Sequence, residues 1–478
     1  MPYIFQSPSS RPSRALSAGG ISDAMSSMRT YLPKKKQGPS IDLESLREQN
    51  STIPVSSIPV ELLRKIFDVY VYEPYPANMG FRSMDPDSGG DPLLLGQVCS
   101  YWRNVAVNSS SLWSTIVISQ PIDRHTRLVN LWLDRAAEHP LDITFNQPDN
   151  ITSAWTILNA FVSRSRFWRR IDLTVPLQLL AHFASLLQSP RRCDMLEHVD
   201  FFTRSPISGQ LFDYDLAHPA WRTNLLRQIW SFFYTSSSLC SVYWVYEFES
   251  CAHEYAPLTQ MTSIHLNTSA QLDAEDTVGF MRLFPNLKSL TTTISSSTSF
   301  PIPKPCIPTS AITFTKLETL HLTVCSPIPT IFSKVTLPSL RCLHLVSVAC
   351  QEPLFPDSTI FNDFLQRSNC RLTTLNYADP HVAEPCLQEL LATPSLQFLA
   401  YFNYDGRVTD FTILSLMKRS QSGCHALVPR VEELYFMNCD TTDIAISDMV
   451  ASRTPALKTF QFYSEREGRL IGPTHWYY

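Results

Sequence analysis

The residue types most capable of chemistry in this chain are cysteine and histidine, and they lie close together in two places. Cys251 is followed by His253 and Glu254, and Cys424 is joined directly to His425. A zinc site needs four ligands, commonly supplied in closely spaced pairs, and the first group offers only a loose Cys-x-His. Adjacent side chains of an extended chain point to opposite sides, so Cys424 and His425 are poorly placed as nucleophile and base. We interpret both groups as incidental.

Sequence motifs for nucleotide binding, metal-dependent hydrolysis and acyl transfer are missing from the sequence. It contains no G-x-G-x-x-G, no P-loop, no H-E-x-x-H and no G-x-S-x-G. Only 13 glycines stand beside 35 prolines, a composition that suits phosphate-cradling loops poorly. We therefore predict a chain that is not an enzyme and that needs no cofactor and no metal.

The net charge and the content of charged residues indicate which kinds of partner the chain can bind. The net charge is −4 and charged residues make up 17%, against roughly 25% in an average soluble protein, so nothing favours binding to nucleic acid or to an anionic membrane. The 12 cysteines form no C-x-x-C pair, and no apolar leader or membrane span is evident. These features predict a reduced protein of the cytoplasm and/or the nucleus.

Residues 1–50 are predicted to form a disordered tail, because the first 40 are rich in serine, proline and arginine and contain one acid, Asp23. An arginine- and serine-rich, acid-poor segment also fits a mitochondrial transit peptide. The run Lys34-Lys35-Lys36 is too short to be more than a weak indication of nuclear import.

The first ordered block, residues 53–118, is predicted to contain three short helices. Leu62, Leu63, Ile66 and Phe67 share one helix face, and Pro59 lies in the first turn, where its missing N–H is harmless. A second helix begins at Asp91-Pro92, and its apolar residues recur at helical spacing, namely Leu94, Leu95, Val98, Cys99, Trp102, Val105 and Ala106. A third, short element carries Leu112 and Trp113. Three short helices make a small core, so the large aromatic side chains suggest a partner.

The blocks IPVELLRKIF, LLLGQVCSYWRNVAV and LWSTI resemble, in this order, the F-box, and particularly its fungal form. The resemblance implies docking to the Skp-type adaptor and, through it, to the cullin of an SCF ubiquitin ligase. The residues that it assigns to adaptor binding are Pro59, Leu62, Leu63, Ile66, Phe67, Leu94, Val98, Cys99, Trp102, Leu112 and Trp113. The resemblance also implies that Pro59, Leu63, Phe67 and Trp102 help to face the adaptor, whereas we expect Val98, Cys99 and Ala106 to hold the helices together.

Two departures from the family pattern are a long gap over residues 73–90 and Ser110, where members often carry proline. The alternative to a docking module is a helical cap that packs on the domain that follows.

The rest of the chain repeats the phrase apolar-x-x-apolar-x-apolar. Clear copies begin at Leu287, Leu317, Leu340, Leu372, Leu396, Val431 and Leu457, and weaker ones at Trp168, Leu196, Leu239 and Met261. Most of the spacings lie in or near the 20–29 residues of a leucine-rich repeat. Helical segments are predicted between copies at 276–284, 360–368, 386–392, 410–420 and 443–452. In two copies a cysteine, Cys325 or Cys439, holds the ninth position, where such repeats often place Asn or Cys.

Residues 166–464 therefore resemble a degenerate leucine-rich-repeat domain. The predicted fold class is α/β: a small three-helix F-box, then a solenoid with a parallel sheet. Residues 119–165 are expected to link and cap the solenoid, and 465–478 to form a C-terminal tail. An ordinary α/β domain of alternating strands and helices is the competing interpretation.

Taken together, these resemblances predict a substrate-recognition adaptor whose F-box docks to the ligase while the solenoid holds an unknown protein target. A ligase-independent binding scaffold is the alternative. An enzyme built on a repeat scaffold is a third possibility that no motif supports.

Overall fold

The computed structural model describes residues 58–72, 92–146, 150–188, 192–204, 220–244, 256–266, 271–295, 311–325, 328–348, 350, 352–355, 357–419, 423, 425–464 and 469–471. They divide into two compact units, of which the first holds 58–72 and 92–108 and the second the described residues from Ser109 onward. The predicted N-terminal tail lies outside the described residues, as do residues 73–91, Cys251, His253, Glu254 and Cys424.

The first unit consists of three helices: α1 (Val60–Tyr72), α2 (Pro92–Val98) and α3 (Ser100–Val107). Pro59 directly precedes α1, and its carbonyl accepts the first helical hydrogen bond from Leu63 N. Leu63, Phe67 and Val71 recur every four residues, so they form one buried face of α1. The Tyr101 hydroxyl donates to the Ile58 carbonyl at 2.8 Å, which ties α3 to the start of α1.

Cys99 interrupts what the sequence predicts as one continuous helix. Its backbone is extended, with φ −156° and ψ 172°, and its thiol accepts a hydrogen bond from Trp102 N at 3.4 Å as the N-cap of α3. The break shifts the residues before it out of register with those after it. Val98 is therefore 58% exposed, while Val105 and Ala106 in α3 are buried.

The second unit is built on one large parallel sheet whose strands pair in chain order. These strands are β1 (Thr115–Ile118), β2 (Leu141–Phe145), β3 (Trp168–Pro176), β4 (His198–Arg204), β5 (Ser241–Trp244), β6 (Ser263–Leu266), β7 (Gln271–Leu272), β8 (Ser289–Ile294), β10 (Thr319–Val324), β12 (Cys342–Ser347), β13 (Thr374–Ala378), β14 (Tyr401–Thr409), β15 (Glu433–Asp440) and β16 (Thr459–Ser464). Strand β7 pairs with β8 beside this path, and the short strands β9 (Ile312–Thr313) and β11 (Val335–Thr336) pair separately.

Helices connect many successive strands. They are α4 (Asp123–Ala136), α5 (Ile151–Ser163), α6 (Leu180–Leu187), α7 (Ala220–Phe233), α8 (Ala274–Leu283), α9 (Pro329–Lys334), α10 (Ser358–Ser368), α11 (Glu384–Leu391), α12 (Asp410–Met417) and α13 (Asp443–Arg453). The five helices predicted from sequence correspond to α8, α10, α11, α12 and α13. Because the strands of the main path pair in chain order, the sheet has no point at which strand order reverses, unlike a doubly wound α/β domain.

The repeated phrase marks the strands. Its fourth residue is buried and in register across the sheet, for example in the row Leu290, Leu320, Leu343, Leu375, Phe402 and Leu434. One predicted copy is wrong in phase. Phe402 pairs with Leu375, so that copy begins at Leu399, and Leu396 lies in a short 3-10 helix before the strand.

The sheet begins earlier than residue 166. Residues 115–118, predicted as the end of the F-box, form β1, and the expected cap over 119–165 supplies α4, β2 and α5 to the same sheet. Residues 469–471 of the predicted C-terminal tail form β17 (Arg469–Ile471), which pairs antiparallel with β16. Residues 119–165 therefore belong to the same sheet as the strands after residue 166, and this sheet extends beyond both ends of the predicted range 166–464.

Candidate functional site

The first unit exposes a second apolar face on α1. Leu62 is 53% and Ile66 48% exposed, and Val69 and Tyr70 lie beside them, exposed to a similar extent. These positions follow the spacing i, i+4, i+7 and i+8, so they form an exposed stripe that adjoins the buried face of the helix. A helix that is apolar on a buried face and again on an exposed one is typical of an interaction surface. We call Leu62, Ile66, Val69 and Tyr70 the α1 outer face.

In α2, Leu94 and Val98 are exposed as well, while Leu95 is buried. The expectation that Val98 holds the helices together is therefore wrong. The cause is the break at Cys99. Because α2 ends at Val98, this residue is not in helical register with Val105 and Ala106, which lie on the buried side of α3. Ala106 is buried as expected, and Cys99 caps α3.

The residues expected to face the adaptor divide between surface and core. Leu63 and Phe67 have no exposed surface, so in this conformation they stabilise the unit and cannot contact a partner. Trp102 is half-buried against Phe67, with ring centres 4.9 Å apart, and Pro59 is exposed. The expected roles of Leu63 and Phe67 are therefore corrected: the buried face is the core of the helices, and Leu62 and Ile66 lie on the accessible face.

Leu112 and Trp113, also assigned to adaptor binding, are buried within the second unit. The Trp113 ring packs edge to face on Trp132 in α4 at 5.5 Å, and the Arg135 guanidinium lies 4.4 Å from its centre. Trp113 comes three residues before Ile116, which pairs with Ile143, so it holds the first position of the phrase in β1. The structure corrects the assignment: these two residues belong to the core that begins the sheet.

Val69 and Tyr70 were not among the predicted residues. The spacing of Leu62, Leu63, Ile66 and Phe67 predicts a single apolar face of α1, whereas the helix has one buried and one exposed apolar stripe. The available signal was the second set of apolar residues at helical spacing, offset from Leu63 and Phe67 by one position.

The second unit presents a row of polar side chains along the sheet. The fifth residue of each phrase alternates with the buried fourth residue, and parallel pairing places these residues side by side. The polar row consists of Asp172, Asp200, Tyr243, His265, Thr291, His321, His344, Asn376, Asn403, Tyr435 and Gln461. All are half-buried except Gln461, which is exposed.

The polar row changes in charge along its length. At the acidic end, Asp200 Oδ1 lies 3.0 Å from His198 Nε2. Burial, together with the negative charge of Asp200, raises the pKa of Asp172 to about 6. In the middle, His321 and His344 stack with ring centres 3.8 Å apart. Burial lowers the pKa of both His265 and His344 to about 4, so these imidazoles are neutral at pH 7.

No chemical centre emerges from the cysteines and histidines in the described ranges. No three His, Cys, Asp or Glu side chains there are grouped so that they could hold a metal ion. His425 Nε2 lies 3.2 Å from the Ser452 carbonyl, and the Cys439 thiol lies 3.7 Å from the Phe436 carbonyl.

The polar row can offer hydrogen bonds and charge over many strands, which suits binding to an extended polar surface.

Comparison with models of known protein families finds no match for this chain, and a search of curated proteins finds no similar sequence. Among the helices in the described ranges, none combines the length and the apolar character that crossing a bilayer requires.

Proposed function

We propose that this chain is the substrate-recognition subunit of a cullin-type ubiquitin ligase, and that its first unit is an F-box that docks to a Skp-type adaptor. The observation that carries the proposal is the α1 outer face. Leu62 and Ile66 keep about half of their surface in water although Leu63 and Phe67, next to them, form a complete buried face. Binding of a partner would remove this apolar surface from water, which is favourable by about 25 cal/mol for each Å² buried.

We propose further that the second unit is a degenerate leucine-rich-repeat solenoid that holds a protein target. In-register pairing of successive strands supports a repeat array, because each strand–helix unit buries its apolar side against its neighbours. The polar row supports target binding, since half-buried polar and aromatic side chains on adjacent strands are typical of protein-binding surfaces. The chain would then act by raising the concentration of target lysines near the ligase.

The test is co-purification of the full chain with a recombinant Skp-type adaptor. The double variant Leu62→Asp, Ile66→Asp places two carboxylates on the α1 outer face and should abolish binding, because a buried unpaired charge is strongly unfavourable. Both positions are exposed, so the variant should fold. The matched control is Arg64→Asp, which introduces the same residue on the other side of the same helix and should bind as the wild type does.

Failure of the wild-type chain to bind the adaptor would overturn the ligase proposal. It would leave the second unit as a ligase-independent scaffold.

A further inference from the structure

A cavity of ≈ 520 Å³ opens where the chain enters β12, β13, β14 and β15, and it is lined mainly by polar and cationic side chains. Three arginines line it, Arg341, Arg371 and Arg430, together with the ring of Phe398 and one acid, Glu318. All three arginines are exposed. The cavity therefore concentrates positive charge on a protein whose overall net charge is −4.

The repeat itself brings these side chains together. Arg371, Phe398 and Arg430 each stand directly before the first apolar residue of a phrase, at Leu372, Leu399 and Val431. Their strands are consecutive in the sheet and pair in register, so the three side chains occupy equivalent positions in three neighbouring repeats.

Phe398 positions two of the guanidiniums. The guanidinium carbons of Arg371 and Arg430 each lie 4.9 Å from the centre of the Phe398 ring. A cation over an aromatic face is attracted to it and still keeps its N–H donors free for a ligand. The ring therefore holds two long, flexible side chains beside one cavity and lowers the conformational cost of their acting together.

The positive charge of the cavity is not balanced by ion pairs within the described part of the chain. In the described part of the chain, none of the three arginines has a carboxylate within ion-pairing distance. Three arginines against Glu318 leave two positive charges in the lining. A phosphate monoester carries a charge of about −1.5 to −2 at pH 7 and presents oxygens that arginine can bind in a bidentate manner.

We propose that this cavity binds the phosphate group of a phosphorylated side chain in the protein target, with Arg371 and Arg430 donating to its oxygens and Arg341 completing the positive field. The proposal rests on the proposed function of the second unit as the target-binding domain, and it assigns the target to the phosphoproteins. A polynucleotide fits less well, because the three arginines form a single cluster and the chain as a whole is acidic.

The experiment measures binding of the full chain to a degenerate peptide library with one fixed phosphoserine, beside the same library with serine. We expect the phosphorylated library to bind about tenfold more tightly or better, and the difference to shrink as salt is raised. The double variant Arg371→Gln, Arg430→Gln should lose this difference. The matched control, Arg127→Gln with Arg282→Gln, removes two exposed arginines outside the cavity and should keep it.

A second variant distinguishes the loss of a specific contact from a loss of binding caused by misfolding. Glu318→Gln removes the one acid of the lining, so it should tighten phosphopeptide binding by roughly threefold, a gain that damage to the fold cannot produce. Equal affinity for the two libraries, or full phosphopeptide binding by the Arg371→Gln, Arg430→Gln variant, would overturn the proposal. So would phenyl phosphate binding as tightly as the best phosphopeptide, because the ligand would then be a small molecule.

Adaptor co-purification of the same variants separates the two proposals. All of these substitutions lie in the second unit and leave the α1 outer face unchanged. Phosphopeptide binding without adaptor binding would refute the ligase proposal alone, whereas adaptor binding without phosphopeptide discrimination would refute the phosphate site alone.

Discussion

The Phe67 ring in α1 packs edge to face against the Trp102 indole in α3, with 4.9 Å between the ring centres. Phe67 is fully buried, and this contact joins the two longest helices of the first unit. Both residues were predicted from sequence to face an adaptor, whereas in the structure their rings contact each other inside the first unit.

Phe67→Ala is expected to destabilise the first unit by about 3–5 kcal/mol, because it leaves a cavity in a small core and removes the edge-to-face contact. Hydrogen exchange of the α1 and α3 amides should accelerate strongly. Leu62→Ala in the same helix is the matched control, since Leu62 is exposed and its truncation should change exchange little. Unchanged exchange in Phe67→Ala would contradict the role given to this ring.

Much of the second unit was predictable because its phrase is repeated many times. Each copy alone is a weak pattern, but the period fixes strands, connecting helices and parallel pairing together. The phase error at Leu396 has a local cause: "LQFLAY" and the correct "LAYFNY" both satisfy the pattern, and only pairing with Leu375 distinguishes them.

The roles in the first unit were not predictable from spacing alone. Periodicity shows that Leu62, Leu63, Ile66 and Phe67 lie on adjacent parts of a helix, but which stripe is buried depends on where α3 packs. The helix break at Cys99 is similarly hidden, since a cysteine N-cap is an uncommon signal. The charged cavity is not predictable from the sequence, because its arginines are far apart along the chain and meet only through the register of the sheet.

Arg453 is buried at the end of α13, and its partners are carbonyl oxygens. It donates to Leu416 O at 3.2 and 2.8 Å, to Leu427 O at 2.8 Å and to Val428 O at 3.0 Å, and burial lowers its pKa to about 10. Arg453→Met should destabilise the second unit by about 3 kcal/mol, since three carbonyls lose a charged donor. Thermal unfolding would measure the loss.

The control for that substitution is Arg419→Met. Arg419 is exposed and donates to the carbonyls of Gly423 and Ser452 at 3.3 and 3.5 Å. Its removal should cost less than about 1 kcal/mol, and an equal effect of the two substitutions would contradict the role given to the buried guanidinium.

Gly406 lies where the register of β14 and β15 shifts, between Tyr404 and Arg407. A Cβ at this position would clash with the Tyr404 hydroxyl and would lie 2.8 Å from the Asp379 carbonyl. Tyr404 and Asp379 are both fully buried, so neither can move away cheaply. Gly406→Ala should destabilise the second unit by about 1–3 kcal/mol, whereas Gly96→Ala in α2, where a Cβ meets only ordinary contact with Arg103, should not destabilise the first unit. Equal melting temperatures of Gly406→Ala and the wild type would refute the steric argument.

The ionised carboxylate of Asp172 should lower the free energy of unfolding at neutral pH. Burial and the charge of Asp200 raise its pKa from 3.8 to about 6, so the folded state binds the proton more tightly than the unfolded state does. Stability from this group is therefore greatest below about pH 4 and falls as the pH rises toward 6. Asp172→Asn should stabilise the protein by about 1–2 kcal/mol at pH 7 and by little at pH 4.

The matched control is Asp142→Asn in the neighbouring strand. Asp142 accepts two hydrogen bonds from the Arg169 guanidinium, at 2.8 and 2.6 Å, so its neutralisation should destabilise the fold at pH 7. If Asp172→Asn were also destabilising at pH 7 in urea unfolding, the charge repulsion inferred for the polar row would be refuted.

The histidines of the polar row should make the second unit sensitive to mild acid. Burial lowers the pKa of His265 and His344 from 6.5 to about 4. Between these values the unfolded chain binds more protons than the folded one, so the free energy of unfolding must fall as the pH drops from 6.5 toward 4. Urea unfolding at pH 7 and pH 4.5 should show a loss from these two groups of about 1–3 kcal/mol after allowance for their partial exposure. The double variant His265→Gln, His344→Gln should remove that share of the loss. An unchanged pH dependence in the variant would show that neither imidazole is held neutral by the sheet.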